Sequence, residues 1–211
     1  MGIIEQLQWR YATKKFDETL LLSNEKISTL KEAFNLTATS YGLQPVKLVI
    51  LSNKELQGQL VPHTMNQQQV AQASHVLIFC IEKQIDQAYI ASYFNRVQGI
   101  RQTPDRVLQP FKQFLINDFE KLNQNQIELW AMKQAYLTMG NLLTVCAVEH
   151  IDACPMEGFD PEQYDQLLEL NKRNLKSVLV MPVGHRAADD AFANLKKVRK
   201  ELKNSVIDLE L

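Results

Sequence analysis

The chain has 211 residues, 45% hydrophobic and 22% charged, enough to bury a sizeable core. Its formal net charge of -1 provides no strong field to recruit nucleic acid or an anionic membrane. Cys80, Cys146 and Cys154 are too sparse and too odd in number for a disulfide framework and suit a reducing cytoplasm.

In chain order, Ile3, Ile4 and Leu7 give one apolar side to a short first helix. Glu5, Arg10, Lys14, Lys15 and Asp17 interrupt any secretory apolar run. No stretch approaches the roughly 18 apolar residues of a membrane span, so a cytoplasmic protein is expected. Ser23 caps a second helix, with Ile27, Leu30, Ala33 and Phe34 at helical spacing. Val46 to Leu51, His75 to Ile81 and Leu175 to Val183 read as buried strands, short and rich in β-branched residues.

Between the second and third strands the pattern is helical. Ile85 to Arg101 carries Ala88, Tyr89, Tyr93 and Val97 on one side. Thr103 is the expected cap of the next helix, with Pro104 at its first position and a kink at Pro110. Gln126 to Glu149 is apolar around much of its circumference, which places it centrally or at an interface. Pro161 to Leu170 is a last short helix. Strands separated by uneven helical blocks point to one α+β domain over residues 1–211, with neither internal repeat nor flexible linker.

Several chemistries are excluded. Of the seven glycines, no two lie closer than Gly42 and Gly58. A Rossmann fingerprint, a P-loop and a nucleophile elbow all need closer pairs. Cys146, His150 and Cys154, spaced by four, could offer zinc three soft ligands. Without a CxxC pair or a fourth ligand, they read as packing and helix-end residues, and no metal is expected.

Four segments remain. They are Arg10 to Asp17 (RYATKKFD), Gln44-Pro45, and Asn66 to Gln69 followed by Ala73-Ser74-His75 and VLIFC. The fourth is Cys154 to Asp160 (CPMEGFD), joined by Pro182 to His185 and by Lys197-Val198-Arg199. In this order, over residues 3–200, they resemble the nitroreductase family, specifically its oxygen-insensitive NAD(P)H-dependent enzymes. The resemblance implies a mostly antiparallel sheet flanked by helices, in an intertwined homodimer that binds FMN. Residues 85–122 would be a helical excursion near the substrate site, and 186–211 an extended C-terminal arm.

The resemblance also assigns roles. Arg10, Lys197 and Arg199 are counter-charges for the FMN phosphate, Arg being suited to a bidentate contact. Lys14 lies near the flavin's pyrimidine edge, where a cation favours the reduced anion. Asn66 pairs with the ring's donor–acceptor edge. Glu157 and Gly158, after Pro155, offer backbone N–H groups to N5 and O4. Ala12, Thr13 and Gln69 complete the near wall, and Ala38, Thr39 and Ser40 reach the flavin from the other subunit. Ala12 stands where the family often has serine, and Gln69 where close enzymes carry lysine. The implied reaction is two-electron transfer by a ping-pong mechanism, from NAD(P)H to a nitroaromatic or quinone. Flavin N5 carries the chemistry, and no catalytic side chain is assigned. A reductase of one metabolite, such as a pteridine, and a non-catalytic flavin-binding or storage protein are the alternatives.

Local pattern offers plainer readings of the same residues. Arg10 and Lys14 could be a solvated helix face, Asn66 a cap, and Glu157-Gly158 a turn before Pro161. Leu195, Val198 and Leu202 fit a helix, whereas the family reading requires an extended chain, which puts Lys197 and Arg199 on one side. From Ile207 onward the last residues alternate apolar and acidic, as a strand pairing a sheet edge would, and the resemblance implies that this tail crosses to the partner subunit.

Overall fold

The run HVLIFCI becomes the centre of a four-stranded antiparallel sheet in a computed structural model that describes residues 2–209. The strands are β1 (Val46–Leu51), β2 (His75–Glu82), β3 (Asp152–Ala153) and β4 (Leu175–Gly184), in the order β1-β2-β4-β3. β2 pairs from Val46↔Ile81 to Leu51↔Val76 on one side and from His75↔Val183 to Glu82↔Leu175 on the other. The register shifts once, between Phe79 and Cys80, where β4 carries the extra residue Val178.

The two-residue period of β2 divides the interior. Leu77, Phe79 and Ile81 face one apolar cluster, together with Leu179, Met181 and Val183 of β4. Val76, Ile78 and Cys80 face the other, with Val180. The first cluster is roofed by α2 (Asn24–Asn35), α5 (Gln87–Arg101), α6 (Asp105–Phe119) and α7 (Gln124–Val148). The second is closed by α3 (Lys54–Leu60), α4 (Gln69–Gln72) and α8 (Pro161–Leu167), none of which except α8 has a clear signal in the sequence. Both faces are covered, so β2 needs no polar side. That is why its pattern reads as a continuous apolar run.

Capping fixes the helix starts. Ser23, Asn53, Asp86, Asn123 and Asp160 each accept a backbone N–H in the first turn. α6 departs from expectation. Its cap is Pro104 rather than Thr103, because Pro104 keeps extended backbone (ψ 140°), and the helix continues through Pro110. α5 is turned by about one residue. Ile90 and Phe94 form its buried line, Tyr89 and Tyr93 are partly buried, and Ala88 faces solvent. α1 (Ile3–Trp9) inverts its pattern. Gln6 is buried, while Ile3, Ile4 and Leu7 point outward.

Gly184, at the end of β4, is forced by packing. A Cβ there would lie 3.0 Å from the backbone nitrogen of Ser74 and 3.1 Å from Phe16 Cδ1. Backbone cannot step aside as a flexible side chain does. Gly184→Ala is therefore expected to cost about 1–3 kcal/mol, measured by urea unfolding. An unchanged midpoint would refute it.

Candidate cofactor site

After Trp9 the chain leaves the helix and runs along the end of the sheet. Ala12 bridges Ala153 in parallel, and Thr13 N–H donates to Ala153 O at 3.2 Å. Phe16 bridges Arg186, Asp17 N–H donates to His185 O, and Ala187 N–H to Lys15 O. RYATKKFD is thus an extended edge segment, not a helix face. Next to it, Cys154 N–H donates to Pro182 O, and Met156 exchanges both backbone bonds with Val180. The first and fourth sequence segments therefore meet at one end of β4.

Beyond Ala187 the chain turns back over this edge, without a helix between Leu195 and Glu201. The helical alternative for the tail fails there. Lys197 Nζ donates to Arg10 O, closing the returning chain onto the first segment. Between them lies a cleft of about 420 Å³ lined by Arg10, Ala12, Lys14, Pro155, Lys197 and Arg199, with Tyr11, Phe192, Leu195 and Lys196. It carries five cations, and no acidic side chain lines it among the described residues. Burial, then the charge of Arg199, holds the Arg10 guanidinium below its ordinary value. Burial, then the charges of Arg10, Arg199 and Arg186, does the same to Lys197. These groups repel one another.

Pro155 also borders a second cleft of about 460 Å³, formed by Tyr136, Met139, Gly140 and Leu143 of α7 with Met156, Glu157 and Leu179. Burial and the Glu157 carboxylate raise the Tyr136 hydroxyl pKa. Gln67 Nε2 donates to Gly158 O at 3.3 Å, and Asp160 N–H to His63 O at 2.8 Å, so the 63–69 loop sits against the 157–160 loop. That loop turns through left-handed backbone at both Met65 (φ 52°) and Asn66 (φ 57°), and Asn66 is exposed rather than capping a helix. Gln69 opens α4 and is buried.

Asn66, Gln69, Glu157 and Gly158 do not line the cationic cleft, and two further expected groups stand apart from it. Thr13 is fully buried, with its N–H already used, so its side chain does not line the cleft. Ala38, Thr39 and Ser40 lie elsewhere. Ser40 N–H donates to Gln134 Oε1 at 2.9 Å, and Thr39 lines a separate cavity of about 490 Å³ with Gln44, Lys47, Glu82 and Arg96. Gln134 and Tyr136 are two residues apart on α7, so they project to roughly opposite sides. Within one chain, Ser40 and Glu157 are therefore held at opposite faces of that helix.

The structure adds residues that the sequence pattern did not single out. Asp190 accepts from Tyr11 OH (2.8 Å), Lys14 N–H (2.9 Å) and Lys15 N–H (3.1 Å) on Oδ2, and from Phe192 N–H (3.0 Å) on Oδ1. Asp152, buried in β3, accepts from Arg186 N–H (2.8 Å) and Nε (2.7 Å). The Arg186 guanidinium lies over Trp9 (4.3 Å) and Tyr11 (4.6 Å). Two acids in a DD pair and one in a two-residue strand leave no periodic trace, which is why pattern reading passes over them. Cys146 faces the core, where burial pushes its thiol up to about 12, and His150 packs edge-on against Trp9 at 4.8 Å.

The nitroreductase family profile matches residues 7–185. An oxygen-insensitive NAD(P)H nitroreductase of Salmonella typhimurium is 29% identical over 217 residues, covering 99% of this chain and all of that one. A Bacillus subtilis structure bearing the nitroreductase name superposes with a TM-score of 0.87 at 18% identity, covering 98% of each chain. A nitroreductase structure from Exiguobacterium sibiricum, in complex with FMN, superposes with a TM-score of 0.83 at 19% identity, covering 100% and 98%. At those identities the two structures establish the shared fold. No helix among the described residues is long and apolar enough to cross a membrane.

Proposed function

The chain belongs to the nitroreductase family, and from that premise we propose that it is an FMN-dependent NAD(P)H oxidoreductase. The observation that carries this reading is the cleft of five cations with no acid lining it among the described residues. The residues fit FMN. Its phosphate dianion would offset most of the charge of Arg10, Lys197 and Arg199, which repel one another. Among the described residues, Arg10 and Arg199 each have one guanidinium nitrogen engaged, on a neighbouring backbone carbonyl, and keep donors to spare. The Salmonella relative is named for NAD(P)H-dependent reduction of nitro compounds, and the Exiguobacterium structure contains FMN.

FMN, when bound, supplies the two-electron chemistry between NAD(P)H and an acceptor such as a nitroaromatic or quinone. The chain's own residues bind and orient. Arg10, Lys197 and Arg199 anchor the phosphate. Lys14 sets a positive charge at the same cleft. Beyond Pro155, which borders the cleft, Glu157 and Gly158 have backbone N–H groups to offer the flavin ring. Ala38–Ser40, held on the other side of α7, reach a cofactor only across a subunit boundary, which supports a homodimer with shared sites.

Arg199→Ala is expected to weaken FMN binding by about 10- to 150-fold, the loss of a charge-assisted bond worth roughly 1.5–3 kcal/mol. Fluorescence titration of the apoprotein measures it. Saturating FMN is expected to raise the thermal midpoint of the parent. A parent protein that neither binds FMN nor gains stability from it would sink the cofactor reading.

A further inference from the structure

One carboxylate joins the two walls of the cationic cleft. The first wall is Arg10–Lys14 and the second is Phe192–Arg199. They come from opposite ends of the chain, and no regular sheet or helix ties one to the other. Asp190 lies between them, 4% exposed. Its Oδ2 takes three donors from the first wall or its continuation: the Tyr11 hydroxyl and the backbone N–H groups of Lys14 and Lys15. Its Oδ1 takes Phe192 N–H at the start of the second. Burial alone would push the Asp190 carboxyl up, but the bonds from Phe192, Lys14, Tyr11 and Lys15 outweigh it and hold it below the ordinary carboxylate range.

We propose that Asp190 is a positioning residue for the cofactor, fixing Lys14 on one wall and Lys197 with Arg199 on the other at the spacing that FMN requires. The proposal rests on reading the cleft as the FMN site. Asp190 does not face the cleft, so it acts through the groups it holds. The donor geometry explains why an acid is needed. Three donors converge on one oxygen and a fourth on the other. A carboxylate accepts on both, whereas an amide accepts on only one and turns an N–H₂ group toward the remaining donors. Asp189 next door provides the contrast. It is exposed, and its side chain pairs with Lys15 Nζ.

The test compares Asp190→Asn, Asp189→Asn and Tyr11→Phe with the parent, each as full-length protein. Three quantities are read: thermal midpoint of the apoprotein, FMN dissociation constant, and two-electron reduction potential of the bound flavin. Asp190→Asn is expected to keep the apoprotein midpoint within a few degrees and weaken FMN by about 10- to 100-fold. It should also lower the potential, because Lys14 is no longer held in place. Asp189→Asn is expected to match the parent. Tyr11→Phe removes a single donor and is expected to weaken FMN by about 3- to 10-fold. A folded Asp190→Asn variant with parental affinity and potential overturns the proposal. Should that variant fail to fold, Tyr11→Phe decides alone: a weakened affinity supports the role and a parental one overturns it. A parent that binds no FMN overturns the cofactor reading and this proposal with it.

Discussion

Asp152→Ala is expected to lower stability by about 3–5 kcal/mol, the usual cost of removing one partner from a buried ion pair. Asp152 is buried, and Arg186 Nη2 is enclosed although its side chain is 24% exposed, so water can replace the lost carboxylate only in part. Arg186 would lose its Nε bond at 2.7 Å, and its Nη2 would lose the same oxygen at 2.7 Å, a charge contact too bent for a hydrogen bond. The damage should spread toward the cofactor. Arg186 stacks on Tyr11, and Tyr11 donates to Asp190. Urea unfolding of the apoprotein measures the loss. A change below about 1 kcal/mol would show that solvent already screens the pair.

Deleting residues 205–211 is expected to convert a dimer into monomers and to weaken FMN by about tenfold or more. The described part of this segment, Ser205–Leu209, forms no strand within one chain, and Glu210 and Leu211 lie outside the described residues. Ile207 is 83% exposed and Leu209 80%, an arrangement that water disfavours. Other apolar groups wait on the same molecule. Ile3, Ile4 and Leu7 of α1 point outward, as do Leu129, Leu137 and Val148 of α7. A second copy would cover them, and its Ala38–Ser40 would reach the cofactor. Losing one or two hydrogen bonds to FMN accounts for the tenfold figure. Light scattering and flavin absorbance on the same sample decide. A truncated protein that stays a fully flavinated dimer rules out the role.

How much of this was legible depended on whether one local rule sufficed. β1, β2 and β4 were readable because both faces of the sheet are covered, which leaves unbroken apolar runs. α7 was readable from length and composition, and its start moved only to the Asn123 cap. The short α3 and α4 carry too few turns for periodicity to register. α1 misled because its apolar side faces away from its own chain. At the site, Arg10, Lys14, Lys197 and Arg199 were singled out only through the order of motifs along the chain, and they line one cleft. Periodicity alone favoured a helix through Lys197, where the chain forms none. Asp190 escaped notice because its role is defined by four partners, of which the three on its Oδ2 lie more than 170 positions away.

The order of strands in the sheet has a consequence for biogenesis. β2 is flanked by β1, made before it, and by β4, which ends 102 residues after β2 does, at Gly184 against Glu82. At ribosomal speeds of about 5–20 residues per second, that is a delay of roughly 5–20 s. During that interval one edge of the most apolar strand stays unpaired, and α5, α6 and α7 have only half a floor to pack on. Such an interval invites chaperone binding and strand-edge association between nascent chains. The cofactor can offer no help during it. Arg199 emerges 15 residues later than Gly184, so the phosphate cleft cannot close before the sheet has its last long strand. Flavin availability should therefore govern how long the finished chain lasts, rather than how efficiently it first folds.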